Sequence, residues 1–311
     1  MGKLIGTIPT EVTEAVAESL RLLRQAHFQN QDEPHQALQP LPSLLERCEQ
    51  HIAAERQPRK EPIRLIHHFA CTGGTLITKC LGCSPNVQVL SELDPLSSKV
   101  SVSGGFNPTD LIQLLQYGNR GASMDEKLSL FMASFSALYD STVAKGLRIL
   151  VRDHSHSHFC VGTALPDRPT LGEIFANDFP TLSVVTVRHP LDSWLSLVNN
   201  GWIEFSPDTL DEYAKRYLAF LAAYPDTKQF KYEDFVAHPD QVLAEICTEF
   251  SLPYLPDYKS LFMAHGFSGD SGRSGMVIAE RERRPVNEDL LVAAKASVAF
   301  GSLCQQLGYE L

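Results

Sequence analysis

The sequence has no apolar run approaching the roughly 18 residues that a membrane-spanning helix needs, so no span is expected. Its opening stretch, MGKLIGTIPTEVTEAV, has neither an apolar core nor a small-residue cleavage site, which argues against a secretory leader. Basic residues are in the minority: 27 Lys and Arg stand against 37 Asp and Glu, a formal net charge of −10. That balance disfavours a general nucleic-acid binder, whose phosphate contacts need a basic face. Cysteines are few and odd in number, seven in 311 residues, and read as reduced thiols of a cytoplasmic protein. No internal repeat or low-complexity tract is present. The Walker pattern, a glycine, four residues and then Gly-Lys-Ser/Thr, is also missing, which disfavours an NTPase phosphate loop.

What remains is an ordinary folding composition, 43% hydrophobic and 21% charged, enough for one large α/β domain with an appendage. Val12, Val16, Leu20 and Leu23 keep one face of a helix, and Leu44, Cys48 and Ile52 repeat that spacing behind a Ser43/Glu46 capping pair. Residues 1–60 therefore read as a helical appendage and 61–311 as the main domain. From Pro62 onward short apolar runs alternate with longer helical stretches. Strands are expected at Ile63–Phe69, Val87–Leu90, Leu147–Val151, Leu182–Val187 and Gln229–Tyr232. Helices are expected at 75–82, 109–117, 124–144, 191–200, 208–223, 239–250 and 287–307. This alternation predicts a mostly parallel sheet of four or five strands flanked by helices.

Two strand-to-helix junctions carry chemistry. In the first, IRLIHHF runs into Cys71-Thr72-Gly73-Gly74-Thr75 and then into a helix bearing Leu76 and Lys79. The glycines permit a sharp turn, and the N–H groups of Gly74, Thr75 and Leu76 at a helix N-terminus would make an anion site; a tight turn without a ligand fits equally. In the second, Arg188 ends a β-branched strand and Ser196 follows eight residues later, on the helix after Pro190. An arginine fork beside a hydroxyl suits a phosphate monoester, and a structural ion pair is the competing reading.

Together the junctions resemble the sulfotransferase superfamily, whose sulfuryl donor is 3′-phosphoadenosine 5′-phosphosulfate (PAPS) and whose nucleotide product is PAP. CTGGT takes the place of the family's Lys/Arg-Ser-Gly-Thr-Thr loop, which holds the 5′-phosphosulfate. RHPLDSWLS matches the segment that holds the 3′-phosphate, at Arg188, Pro190, Asp192 and Ser196. Lys231-Tyr-Glu-Asp-Phe resembles the strand-to-helix segment whose aromatic, here Tyr232, lies near the adenine. The resemblance covers about residues 63 to 256. It implies the P-loop-like sulfotransferase fold and metal-independent, in-line transfer to a hydroxyl of a glycan, lipid, small alcohol or phenol, or tyrosine. The alternatives are a catalytically silent PAP(S)-binding relative or a kinase-like phosphotransferase.

The chain departs from the family at Cys71, where the loop's basic residue stands, and at Gly74, where its first threonine stands. Lys79 and Arg152 are the candidates to replace the missing cation. Two bases compete: Glu92, at the offset from Cys71 of the tyrosylprotein sulfotransferase glutamate, and His154, placed after a strand like the cytosolic enzymes' histidine. The run His154-Ser-His-Ser-His158, read as extended, would put its histidines on one side, but no further metal ligand stands nearby, and no metal is expected. A late glycine-rich basic loop offers Arg273 to close over the 3′-phosphate, with Arg283 and Arg284 expected on the surface.

Overall fold

The structure is a computed structural model, and it describes residues 17–22, 43, 60–98, 109–116, 118–261, 278–280 and 282–310. The chain divides into two compact units, Met1–Arg59 and Lys60–Leu311. In the first, residues 17–22 are helical, with Leu20 half exposed; the expected helix around Leu44, Cys48 and Ile52 lies outside the described residues.

The second unit is built on a five-stranded sheet. Its strands are β1 (Ile63–His68), β2 (Val87–Leu93), β3 (Arg148–Asp153), β5 (Thr181–Val187) and β7 (Lys228–Lys231), in the spatial order β2-β3-β1-β5-β7. Every pairing is parallel. β4 (Val161–Gly162) and β6 (Glu204–Phe205) form a separate two-stranded parallel ladder. The expected parallel α/β sheet is thus present, with five strands.

Parallel strands need crossovers, and crossovers place helices on both faces, so the central strands are buried on each side. β1 has no exposed residue. Ile66 on one face packs in a core with α1 (Gly74–Gly82) and α6 (Pro239–Glu249). Ile63 and Leu65 on the other meet α2 (Met124–Ala144) and α3 (Leu171–Ala176). Towards the β5 side that face is covered by α4 (Pro190–Asn199), α5 (Leu210–Ala223), α7 (Glu288–Ala296) and α8 (Val298–Leu307). Local signals set the helix starts. Ser123 with Glu126, and Thr170 with Glu173, form reciprocal capping boxes, each cap contributing about 1 kcal/mol.

The single helix expected over 287–307 is two. Ser297 leaves helical geometry (ψ 115°), and its hydroxyl accepts from the Phe300 N–H, restarting the helix at an 86° bend. Apolar periodicity continues across the break and conceals it. Among the described residues no single helix is long and apolar enough to cross a membrane.

The chain leaves the carboxyl end of β1 for one side of the sheet and that of β5 for the other. The crevice at such a switch point is where open α/β sheets place ligands.

Candidate functional site

A cavity of about 830 Å³ opens at that crevice. Its wall includes every predicted site residue except Arg273, which lies outside the described residues.

The turn after β1 is shaped by its glycines. Gly73 has φ 91°, a left-handed value that favours glycine, and a Cβ there would meet the Tyr232 ring at 2.4 Å. A Cβ on Gly74 would sit 2.6 Å from Cγ of His68. The departure from threonine at position 74 therefore has a physical counterpart: the His68 imidazole occupies that space. The Leu76 N–H does not face a ligand as expected. It donates to the Gly73 carbonyl (3.0 Å), closing the first turn of α1.

Cys71 is itself left-handed (φ 64°). Its carbonyl accepts from Arg188 Nη1 at 3.3 Å, and its sulfur lies 4.0 Å from Asn200 Nδ2 and beside the Ser196 hydroxyl. Burial pushes the thiol above its ordinary range, so it stays protonated and supplies no charge.

Arg188 lies over the Tyr232 ring, with its guanidinium carbon 4.6 Å from the centroid. Its Nε is buried without a hydrogen-bond partner, and among the described residues no carboxylate forms an ion pair with it. A guanidinium held by a carbonyl and a ring keeps its charge available for an anion.

At the other end of the turn lies Arg152, 1% exposed. Nη1 donates to Thr75 Oγ1 (2.7 Å), Nε and Nη2 donate to Ser91 Oγ (3.0 and 2.8 Å), and Nη2 also reaches Glu92 Oε1 (2.6 Å). Glu92 sits where the β2–β3 register shifts between Ser91 and Leu93, with φ 61°. Non-glycine residues held in this region concentrate at functional sites. The two candidate bases adjoin: Glu92 Oε2 is 3.6 Å from His154 Nε2.

HSHSH is not extended. It folds into a short helical turn, His156–Phe159, so its histidines diverge: His154 and His156 line the cavity, whereas His158 stacks on Phe159 at 4.3 Å. Among the described residues no group of three His, Cys, Asp or Glu is placed to hold a metal. Lys79, on α1, also faces the cavity and is 9% exposed.

Sequence reasoning missed three groups. His68 is buried at the end of β1; burial, then the nearby Arg152 guanidinium, hold its imidazole well below the ordinary histidine range. A pair of histidines closing a fully buried central strand was the available signal. Arg283 and Arg284 are exposed, as expected, and both also line the cavity: Arg283 pairs with Asp192 (3.1 Å), and Arg284 donates to the Leu195 carbonyl (3.2 Å). Glu233 and Tyr309 also form part of the wall.

No protein-family profile matches the chain, and no curated protein matches it. Among solved structures, a mouse sulfotransferase crystallised in complex with PAP aligns over 79% of this chain and 89% of that chain, at 10% sequence identity and a TM-score of 0.38.

Proposed function

We propose that this protein transfers a sulfuryl group from PAPS to an acceptor hydroxyl. One observation carries the reading. The glycine turn after β1 adjoins, on the neighbouring strand, an Arg188 guanidinium with no carboxylate partner among the described residues. PAPS carries anionic groups at both ends of its ribose, and the turn has a cation at each end, Arg188 against Cys71 and Arg152 against Thr75.

In this reading the turn holds the 5′-phosphosulfate, Arg188 and Ser196 hold the 3′-phosphate with Arg273, and Tyr232 lies near the adenine. Arg152, aided by Lys79, supplies the positive charge that Cys71 cannot. The acceptor oxygen forms a bond to sulfur as the bond from sulfur to the phosphate oxygen breaks in line, and PAP departs. The acceptor proton passes to the Glu92–His154 pair, with Glu92 as the primary base. Charge developing on the departing phosphate is stabilised by preorganised cations, and such groups accelerate the chemical step more than they tighten binding.

Cys71 supports a second reading, a PAP-binding relative with little activity. Thermal unfolding with PAP and, separately, with ATP–Mg²⁺ tests the shared premise. PAP at about 100 times its Kd should stabilise the fold by ~2.7 kcal/mol. Stabilisation by ATP–Mg²⁺ and none by PAP would replace this reading with a phosphotransferase. Radiolabelled PAPS with a panel of phenols, alcohols and glycans then separates an active enzyme from a silent binder.

A further inference from the structure

Residues 308–310 lie against the Arg188 side of the cavity through contacts that no motif foreshadows. Gly308 ends α8 in the left-handed conformation, and its carbonyl accepts from Lys231 Nζ at 3.2 Å. The same ammonium lies 4.3 Å from the centroid of the Tyr309 ring. The Tyr309 hydroxyl donates to Glu233 Oε2 at 2.6 Å, and Glu233 Oε1 accepts the backbone N–H of His189 at 2.9 Å. The His189 ring lies 5.1 Å from that of Tyr309, its Nδ1 accepts the Leu191 N–H at 3.2 Å, and it is also bonded to the Glu310 backbone. Since Nδ1 accepts, Nε2 carries the proton given to Glu310.

The consequence falls on the residue before His189. Arg188 leaves β5 with its N–H on the Tyr217 hydroxyl (3.3 Å) and its side chain on Tyr232, which immediately precedes Glu233. Glu233 therefore fixes the peptide that follows Arg188, and Tyr309 fixes Glu233. A carboxylate accepting from two donors is held in one rotamer, and charge-assisted bonds of this kind are the strong ones.

We propose that Tyr309 is a positioning residue for the donor nucleotide, acting through Glu233 and His189 to aim Arg188 at the 3′-phosphate. This rests on reading the cavity as the donor site. Tyr309 therefore governs discrimination between nucleotides with and without a 3′-phosphate, although its own hydroxyl is bound to Glu233.

Two measurements test it, one of them without ligand. In Tyr309→Phe, which removes one hydroxyl and keeps the ring, amide hydrogen exchange of His189 should accelerate by about tenfold, the scale of one lost bond to a charged group. PAP should weaken roughly fivefold or more while AMP is unchanged. Glu233→Ala should reproduce both effects, and the double variant should add little to either single one, because the residues act in series. Unchanged His189 exchange overturns the proposal whether or not PAP binds. Equal weakening of PAP and AMP, or additive effects in the double variant, overturns it as well. Failure of the unmodified protein to bind PAP, with His189 exchange accelerated in the variants, would instead reject the donor-site reading and leave the Tyr309–Glu233–His189 coupling standing.

Discussion

Arg152 Nη1 donates to Thr75 Oγ1 at 2.7 Å, tying the end of β3 to the turn that follows β1. With Nη2 on Glu92, one buried guanidinium spans the proposed donor cradle and the proposed base. Arg152→Ala should therefore lower sulfuryl transfer by roughly 10²–10³, the scale for a lost electrostatic stabiliser, while PAP affinity falls far less. Lys79→Ala should follow the same pattern at smaller amplitude. Single-turnover rates set beside calorimetric PAP titrations check this, and loss of PAP binding with unchanged chemistry in both variants would contradict it.

Glu92→Gln should reduce turnover by ~10²–10⁴ with PAP affinity nearly intact, as expected for a general base. His154→Ala should do less. Normal turnover in Glu92→Gln together with abolished turnover in His154→Ala would reverse the two roles within the pair.

Arg188→Ala should weaken PAP by about 30-fold or more and leave AMP almost unaffected. Truncating one partner of a charge-assisted contact costs ~2–5 kcal/mol, and each ~1.4 kcal/mol is tenfold. Ser196→Ala should show the same selectivity to a smaller degree. Equal losses for the two nucleotides would mean that Arg188 acts on the fold as a whole.

Stability should decline on acidification in two stages. The His68 imidazole is depressed well below its ordinary value of 6.5 by burial and then by Arg152, with His154 and His156 adding to the effect. Below about pH 6.5 the unfolded chain takes up a proton that the folded chain refuses, so folding weakens by up to ~1.4 kcal/mol per pH unit. For Asp94, burial pushes the carboxyl up, but the Arg168 fork (2.7 Å to each oxygen) and Ser157 prevail and hold it below its ordinary 3.8. Its contribution is complete above that value and is lost as pH falls through the lower folded one. Burial also lowers His158 and His189, so denaturant unfolding at a series of pH values should show His68→Asn reducing the upper stage, without abolishing it, and leaving the lower one unchanged. An unaltered profile in that variant would remove His68 from the account.

The sheet was legible because each strand carries apolar residues between helical stretches, buried in β1, β3 and the end of β5 and only partly buried in the edge strands β2 and β7. All five candidate runs are strands, within two residues except at the end of β2, which runs on to Leu93. That end is where the bulge at Glu92 departs from the regular pleat. The motif residues were legible as types at junctions, but their partners were not, since Arg283 meets Asp192 and Tyr309 meets Glu233 across long sequence separations. The Arg283–Arg284 pair is exposed as a charge run should be, but its contacts with the helix at 190–199 could not be read because that helix lies so far upstream. The spent Leu76 N–H and the turn in HSHSH depend on local hydrogen bonding that spacing does not encode.

β1 and β5 are neighbours in the sheet, yet Cys71 and Arg188, at their carboxyl ends, are separated by 117 positions in the chain. A nucleotide held by both would act as a removable cross-link between distant parts of the polypeptide. Its binding energy would oppose separation of the two central strands and would thus be felt by helices on both faces, including those that make no contact with it.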